Sequence, residues 1–407
     1  MSRPADTPEL ARWRADTPGC ERLVHLNNAG AALQPAPVRH AVLSHLQLEQ
    51  ELGGYEAAEA RADALRDAYD AIGRLVGASS RNVAMQQNST VAFAQAFAAF
   101  DLRRGDLILT SRADYASNQI MYLALARRVG VEVVRAPDAP EGGIDPQAVR
   151  ELVRRRRPTL LALSWIPTNS GLVQPAEQVG EICGEAGIPY IVDACQAVGQ
   201  IPIDVGRLHC DYLAAATRKF LRGPRGVGFL YVSDRALEAG AYPLTVDMHG
   251  ADWTEAEAFV LKPDARRFEQ WEISHALVLG GGAAARYALE VGIEKARARS
   301  WALAAYVRER LRGMEGVRVL DRGPLLCAIA TAELDGRSAE EVKLALRKRG
   351  INTSSPARED AVIDMDEKRA ATAIRISPHY YNTAAEIDQA IAALADVLVT
   401  MEPRRPV

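Results

Sequence analysis

The feature that most constrains the fold is an alternation of helix and strand patterns from Asp63 to Val232. Segments with apolar residues at helical spacing separate short apolar runs that are typical of buried strands. The runs are NVAMQQ, DLILTS, VEVVRAP, PTLLALSWI, IPYIVDA, DYLAAA and GVGFLYV. Strands that alternate with helices form a largely parallel sheet with helices on both faces. The sequence therefore predicts an α/β fold.

Polar residues follow these predicted strands, at the place where sheets of this kind bind ligands. In open parallel sheets the binding crevice lies beyond the carboxyl ends of the strands. Residues that are far apart along the chain should therefore meet at this edge. They are Asn88 to Thr90, Asp114 to Ser117, Pro167 to Asn169, Asp193 to Gln196, and Thr217 to Lys219.

The pattern changes after His275, which predicts a second and smaller unit. The segment from His275 to Met314 has the pattern of one long helix, and short strands then alternate with two helices. Local pairing of this kind is typical of an α+β domain. We predict an N-terminal arm over residues 1–25, a large domain over 26–285 and a small C-terminal domain over 286–407.

The charge balance restricts the classes of partner. The 407 residues carry a formal net charge of −3, whereas nucleic acids and anionic membranes are bound by basic surfaces. The one dense basic run, Arg154 to Arg157, closes a predicted helix, where cations are favourable in any protein. We therefore expect neither nucleic acid nor a membrane as partner, and no apolar run is long enough to span a bilayer.

The five cysteines are odd in number, widely spaced and without a CxxC pair. This pattern argues against a disulfide framework and against a structural zinc site. The N-terminus lacks the apolar core of a secretory signal. We expect a cytoplasmic protein that holds no metal.

Two ionisable residues stand where charge is costly. Asp193 ends the apolar run IPYIV, and a buried carboxylate there needs a cationic partner or hydrogen bonds. Lys219 follows the next run, in AAATRKFLRGPRGVGFLYV, and desolvation of a lysine favours the nucleophilic free amine. The glycines after it allow close approach of the backbone. Taken alone, Asp193 also fits a structural cap, and Lys219 also fits a surface loop.

A third feature turns these residues into a pattern. Asn88, Ser89 and Thr90 open a predicted helix after a strand, which suits phosphate binding as well as ordinary capping. A carboxylate for a pyridinium nitrogen, an amine for a Schiff base and a helix N-terminus for a phosphate are together what pyridoxal phosphate requires. We therefore predict pyridoxal 5'-phosphate as the cofactor.

Three motifs carry a resemblance to a known family: VDACQAVGQ, TRKFLRGPRGVGFLYV and IRISPHYYNT. With them, the chain resembles the class V aminotransferase group of fold-type I pyridoxal-phosphate enzymes, from His25 almost to its end. The group includes cysteine desulfurases, selenocysteine lyases, isopenicillin-N-epimerase-like proteins and C–S lyases of ergothioneine biosynthesis. It implies a large domain with a mostly parallel seven-stranded sheet, a smaller α+β C-terminal domain, and a homodimer with shared active sites.

The resemblance implies a role for each matching residue. Lys219 would form the Schiff base with the cofactor, and Asp193 would pair with the pyridine nitrogen. Tyr115 would lie over the cofactor ring and share the catalytic work of Lys219. The other implied roles are contacts to the ring hydroxyl by Asn169 and Gln196, phosphate binding by Ser89 and Thr90, a contact of Ser274 to the phosphate of the partner subunit, and substrate binding by Arg375, Asn28 and Tyr55.

Two departures from the family pattern bear on the reaction. Relatives place a histidine directly before the lysine, whereas this chain has Arg218 preceded by Thr217, so that one of these two contacts the phosphate. Desulfurases carry a catalytic cysteine in the loop before the substrate-binding arginine, whereas this loop reads RGINTSSPARED. Serine cannot accept sulfane sulfur, which disfavours cysteine desulfuration.

The stretch GGYEAAEA at Gly53 resembles C–S lyases of the ergothioneine type. We therefore expect β-elimination from a cysteine S-conjugate to pyruvate, ammonia and a thiol, in sulfur-containing secondary metabolism of the ergothioneine or lincosamide type. The alternatives within the group are a decarboxylating oxidative deaminase, an aminotransferase and an epimerase. A member without cofactor is a further alternative, against which the presence of Lys219 and Asp193 argues.

Overall fold

A computed structural model describes residues 3–401 of the chain. Within these residues the strands are short, and most of those in the interior are buried along their whole length. Numbered in chain order, they are β1 Val24–His25, β2 Val83–Gln86, β3 Leu107–Thr110, β4 Glu132–Arg135, β5 Leu160–Ser164, β6 Tyr190–Asp193, β7 Tyr212–Ala216, β8 Gly228–Val232, β9 Ala251–Glu255, β10 Ala258–Leu261, β11 Val317–Val319, β12 Ala330–Leu334, β13 Ile351–Asn352 and β14 Ile374–Ile376.

Several helices begin at residues whose side chains cap them. Asn88 caps α5 by accepting a hydrogen bond from Val91 N at 2.9 Å, and Thr383 with Glu386 forms a capping box at α15. The helices are α1 Leu10–Ala15, α2 Ala36–Leu52, α3 Gly54–Ala60, α4 Ala62–Val76, α5 Ser89–Ala98, α6 Ala116–Arg128, α7 Pro146–Arg156, α8 Ala176–Ala186, α9 Val205–Leu208, α10 Asp234–Glu238, α11 His275–Val291, α12 Ile293–Arg312, α13 Ala339–Lys348, α14 Val362–Lys368 and α15 Ala384–Thr400.

The central sheet has seven strands in the order β2-β8-β7-β6-β5-β3-β4. Strand β8 is antiparallel to both of its neighbours, and the other neighbouring pairs are parallel. Successive residues of the central strands face opposite cores: Leu161 and Leu163 pack with α4, α7, α8 and α11, whereas Leu160 and Ala162 pack with α5, α6 and α10. The predicted α/β fold is confirmed.

The predicted long helix after His275 is wrong, because the structure divides it into α11 and α12. Gly292 lies between them with φ +85°, a conformation that costs glycine little, and the two helix axes are bent by 81°. No single helix within residues 3–401 is long and apolar enough to span a bilayer, and only this bent pair reaches that length and apolarity jointly.

The C-terminal unit is built on an antiparallel sheet of order β11-β12-β14. Helices α12, α13 and α15 cover it. The N-terminal segment joins the same unit, because β1 pairs in parallel with β13 and Val24 and Leu26 belong to its core. The division into residues 1–25, 26–285 and 286–407 stays a prediction, and its second boundary falls inside α11.

One buried ion pair connects the C-terminal unit to the loop after β5. Arg308 Nε lies 2.7 Å from Asp321 Oδ2, with 3% and 0% of the side chains exposed, and Asp321 Oδ1 accepts from Gly171 N at 3.0 Å. We expect Arg308→Met to lower the free energy of unfolding by about 3–5 kcal/mol, since it leaves the buried carboxylate of Asp321 without its cationic partner. The urea midpoint of the apoprotein measures this loss.

A matched substitution on the same helix serves as the control. Arg310 pairs with Asp388 at the surface, where 37% and 32% of the side chains are exposed. Arg310→Met should cost less than about 1 kcal/mol. Equal midpoints for the two variants would show that the buried pair contributes no more than the exposed one.

Candidate active site

The strand ends bring Lys219, Asp193 and Tyr115 into one place, as expected. Lys219 and Asp193 follow the neighbouring parallel strands β7 and β6 and are only 7% and 6% exposed. Tyr115 caps α6 after β3, and the Lys219 Nζ lies 5.8 Å from the centroid of its ring. An amine, a carboxylate and an aromatic ring therefore share one largely buried site.

The loop around Lys219 is closely packed, which explains its glycines. Arg222 N donates to Lys219 O at 2.9 Å, and Gly223 N donates to Thr217 O at 2.8 Å. A Cβ at Gly223 would lie 2.5 Å from Thr217 Cβ, and one at Gly228 would lie 2.5 Å from Ala215 O. Any larger residue at these two positions would displace the loop that carries Lys219.

The surroundings of Lys219 favour the free amine. Burial lowers its pKa, and the opposing attraction of the Asp193 carboxylate is smaller. Within residues 3–401, Lys219 Nζ forms no hydrogen bond and no ion pair, and the ring of Tyr115 lies beside it. A desolvated amine without a fixed partner is suited to nucleophilic attack on an aldehyde.

Asp193 belongs to a hydrogen-bond network that the sequence analysis missed. Asn118 Nδ2 donates to Asp193 Oδ2 at 3.0 Å and to Asp114 Oδ1 at 3.2 Å, so that one amide bridges two buried carboxylates. Cys195 N donates to Asp193 Oδ1 at 2.9 Å. Burial, and then the Asp193 charge, raise the pKa of Asp114. The spacing of Asp114 and Asn118 by one helical turn was the available signal.

Arg375 is a buried cation without a carboxylate partner among the described residues. Its Nη1 donates to Thr168 O at 2.9 Å and its Nη2 to Asn27 Oδ1 at 3.2 Å, while Nε has no partner. Burial and, to a smaller degree, the nearby Arg218 lower the pKa of the guanidinium to about 10, although the charge of Asp360 opposes the shift. An anionic ligand would relieve this cost, which supports the predicted contact with a carboxylate.

Two amide side chains carry buried polar atoms that no protein group satisfies. Both amide atoms of Asn169 and the Oε1 of Gln196 lack a hydrogen-bond partner within the described chain, although the residues are 3% and 2% exposed. Gln196 is oriented by its Nε2, which donates to Thr168 Oγ1 at 2.7 Å. Unpaired buried amides are costly, so a bound polar group at this place fits their expected role at a ring hydroxyl.

The predicted phosphate site lies at the N-terminus of α5. Ser89 is buried and Thr90 is exposed there, and the absent side chain of Gly228 lets β8 approach Ser89 N.

The hydroxyl of Thr217 is enclosed at 0% exposure and lies 2.8 Å from Pro224 O and 3.1 Å from Val227 O. Arg218 Nη1 donates to Gly30 O. The Thr217 hydroxyl is thus already hydrogen-bonded to backbone carbonyls. The phosphate contacts of Ser89, Thr90, Thr217 and Arg218 stay predictions.

Asn28 is held by the surrounding protein, and its predicted substrate contact stays a prediction. Its side chain is fully buried, its Nδ2 donates to Ser377 O at 2.7 Å, and its Oδ1 accepts from the Tyr381 hydroxyl. The neighbouring Asn27 is the residue that contacts Arg375. The two asparagines lie at the start of a turn, and the sequence HLNNAG does not tell which of them faces the site.

Within a single chain, Tyr55 and Ser274 do not lie with Lys219 and the other predicted site residues. Tyr55 is 75% exposed on α3 and lines a cavity of about 760 Å³ with Trp271 and His275. Ser274 is exposed and caps α11 at the edge of this cavity. Neither forms a hydrogen bond or ring contact with Lys219 within residues 3–401, so their predicted roles depend on a second subunit and stay predictions.

The family model for class-V aminotransferases matches residues 24–390. The chain belongs to this family. The resemblance inferred from the sequence motifs is thereby confirmed, and the protein is a pyridoxal-phosphate enzyme with an amino-acid-type substrate. The buried amine of Lys219, the carboxylate of Asp193 and the unpaired amides of Asn169 and Gln196 fit that cofactor.

Similar proteins of this family have two kinds of name. A probable hercynylcysteine sulfoxide lyase of Mycobacterium tuberculosis (strain CDC 1551 / Oshkosh) is 30% identical over 97% of this chain and 94% of its own. A probable cysteine desulfurase of Xylella fastidiosa (strain 9a5c) is 27% identical over 97% of each chain. This class V enzyme thus has both C–S lyases and cysteine desulfurases among its relatives.

Solved structures agree with the fold. The apo cysteine desulfurase of Thermococcus onnurineus NA1 superposes with a TM-score of 0.88 at 20% identity, over 98% of this chain and 100% of its own. A cystine C–S lyase in complex with cysteine persulfide gives a TM-score of 0.83 at 20% identity, over 93% and 99% of the chains. The predicted fold-type I architecture is confirmed.

Proposed function

We propose that the protein is a C–S β-lyase that cleaves a cysteine S-conjugate to pyruvate, ammonia and a thiol. The observation that carries this proposal is the loop that precedes Arg375. Ser354 pairs with Arg375 through two backbone hydrogen bonds of 3.0 and 2.8 Å, and the loop contains Ser354 and Ser355 but no cysteine. A sulfur acceptor is therefore missing from the segment that lies against the substrate arginine.

The cysteines elsewhere in the chain do not replace that acceptor. Cys195 is the cysteine that interacts with Lys219, and burial raises its pKa to about 11. Its thiol is therefore protonated at neutral pH and is a poor nucleophile. The other four are buried and free: Cys20, Cys183, Cys210 and Cys327. This arrangement supports elimination over desulfuration.

The residues of the site divide the work of the reaction. When bound, pyridoxal phosphate acidifies the Cα–H of the amino acid and takes up the electron pair that is released. Arg375 holds the α-carboxylate, and the lowered pKa of Lys219 leaves more free amine to take the Cα proton. Asp193 keeps a negative charge in place through Asn118 and the Cys195 amide.

The overall bond changes balance without an oxidant. The C–S bond breaks with its electron pair on sulfur, which leaves as a thiol after protonation by the Lys219 ammonium. The other product, 2-aminoacrylate, reacts with one water to give pyruvate and ammonia. The hercynylcysteine sulfoxide lyase among the relatives supports a cysteine conjugate of sulfur-containing secondary metabolism, of the ergothioneine or lincosamide type, as the substrate.

The same proposal includes a cytoplasmic homodimer. The exposed Trp271 and Tyr55, at 48% and 75% exposure, surround the cavity of about 760 Å³ beside Ser274. Large exposed apolar side chains around a cavity favour a protein contact. A second copy that covers them would bring Ser274 and Tyr55 to the site of the partner subunit. If analytical ultracentrifugation finds a monomer at micromolar concentration, the proposed homodimer is wrong.

The product assay tests the reaction type directly. S-alkyl-L-cysteines incubated with the holoenzyme should release thiol and pyruvate in equal amounts. Amino transfer to a keto acid, or carbon dioxide with an aldehyde, would show an aminotransferase or a decarboxylating deaminase instead. Cys195→Ala should release pyruvate within about threefold of the wild-type rate, because the thiol is not a sulfur acceptor. With free L-cysteine as the substrate, persulfide formation that disappears in this variant would show a desulfurase.

Arg375→Lys should raise KM for the amino-acid substrate by about 10- to 100-fold, with a smaller effect on kcat. Lysine keeps the charge but loses the planar fork that binds a carboxylate through two parallel hydrogen bonds. Steady-state kinetics of pyruvate release measure both constants. Arg358→Lys is the control, because Arg358 pairs with Asp366 at the surface. An unchanged KM in Arg375→Lys would remove Arg375 from the substrate site.

A further inference from the structure

Two arginines are anchored to the same tight turn at the edge of the active site. In this turn, Asn27–Ala31, the amides of Gly30 and Ala31 donate to Asn27 O at 3.0 Å. Arg375 Nη2 donates to the side chain of Asn27 at 3.2 Å, and Arg218 Nη1 donates to Gly30 O. A Cβ at Gly30 would lie 2.6 Å from Asn27 Oδ1, so a side chain there would displace the Asn27 amide that contacts Arg375.

Neither guanidinium has a carboxylate partner among the described residues. Burial lowers the pKa of Arg218, and Arg225 lowers it further; Arg218 in turn lowers that of Arg375. By contrast, the buried Arg308 is paired with Asp321. Like charges held together without a counterion are costly, so the site is arranged for more than one negative charge.

Arg218 keeps most of its hydrogen-bonding capacity free. A guanidinium has five N–H donors, and within residues 3–401 one acceptor, Gly30 O, is bound to that of Arg218. Its remaining donors are available to a ligand. The turn that holds it also holds Arg375, whereas the predicted phosphate site lies at Ser89, at the N-terminus of α5.

We propose that Arg218 binds a second anionic group on the sulfur substituent of the substrate, while Arg375 binds the α-carboxylate. The preferred substrate is then a cysteine conjugate that carries a second carboxylate or another anion. This inference rests on the proposed function, since it takes the α-carboxylate at Arg375 as given. A phosphate of the cofactor offers Arg218 the same chemistry, and the experiment separates the two sources.

The test compares two ligands of the same shape that differ by one charge. S-(2-carboxyethyl)-L-cysteine and S-(2-carbamoylethyl)-L-cysteine are mixed with the wild-type holoenzyme by stopped flow. The amplitude of the early shift of the cofactor absorbance band, recorded before C–S cleavage, gives each apparent Kd. We expect the acid to bind about tenfold or more tightly than the amide. Arg218→Gln should reduce this ratio to about 1–2, while the exposed Arg225→Gln should keep it.

Each other outcome has a distinct meaning. Equal Kd values of acid and amide in the wild type overturn the inference, and the proposed function stands if both ligands still give pyruvate. An acid preference without pyruvate supports the inference and overturns the elimination. If Arg218→Gln weakens reconstitution of the apoprotein with pyridoxal phosphate and leaves the ratio at tenfold, Arg218 is a phosphate ligand and the inference is wrong. The wild-type comparison needs no variant, so misfolding of Arg218→Gln does not remove the test.

Discussion

Lys219→Ala lowers kcat/KM for pyruvate release by at least about 10³-fold, the largest loss expected of any single substitution in this chain. The reason is that Lys219 supplies both the amine for the Schiff base and the base for the Cα proton. Its buried position beside Asp193 and Tyr115 leaves no second lysine to take over either role within the described residues. Steady-state kinetics with an S-alkyl-L-cysteine measure the loss.

A chemical label makes the assignment of Lys219 independent of activity. Borohydride should fix the cofactor to the wild-type peptide that contains Lys219, and mass spectrometry should find no such adduct in Lys219→Ala. Lys295→Ala is the matched control, because Lys295 is an exposed residue of α12 with 66% of its side chain accessible. An adduct on a different lysine in the wild type would show that the anchor has been misassigned.

Asp193→Asn is expected to lower kcat/KM by about 10²- to 10³-fold. The substitution keeps the shape of the side chain and one oxygen acceptor, but it removes the fixed negative charge that stabilises a protonated pyridine nitrogen. The hydrogen bonds from Asn118 and the Cys195 amide, at 3.0 and 2.9 Å, hold that charge in place. The measurement is pyruvate release at saturating cofactor, so that weaker cofactor binding does not mask the effect on the reaction.

Asp114→Asn separates the charge of Asp193 from the network around it. Asp114 accepts from the same Asn118 amide at 3.2 Å but follows a different strand. The control variant should lose about tenfold or less, because it alters the hydrogen bonds of Asn118 and of the Tyr115 amide but keeps the Asp193 charge. Equal losses in the two variants would show that the network as a whole, rather than the Asp193 charge, sustains the reaction.

The sequence was sufficient to predict the central sheet and the polar residues at the ends of its strands. Most of the strands β2 to β8 are apolar runs that alternate with helices, so period and length identify them. Lys219, Asp193, Asn169 and Gln196 could be found because each follows such a run. Arg375 required the family motif, since the strand that carries it has only three residues, Ile374–Ile376.

The missed features depend on contacts across long stretches of chain. The bond between Asn118 and Asp193 joins residues 75 positions apart, and no local pattern indicates it. The break at Gly292 was overlooked because a single glycine inside an apolar helical pattern is tolerated in many helices. Asn27 and Asn28 differ only in the direction of their side chains, which the packing of the turn against Ser377 decides.

The parallel pairing of β1 with β13 has a consequence for synthesis on the ribosome. Val24 and His25 pair with Ile351 and Asn352, which emerge more than three hundred residues later, or roughly 15–65 s at bacterial and eukaryotic translation rates of about 5–20 residues per second. During that interval the central sheet can assemble and Arg218 can bind the turn after β1, but β1 itself has no strand partner. The contact between Asn27 and Arg375 forms last, after the strand that carries Arg375 has been synthesised.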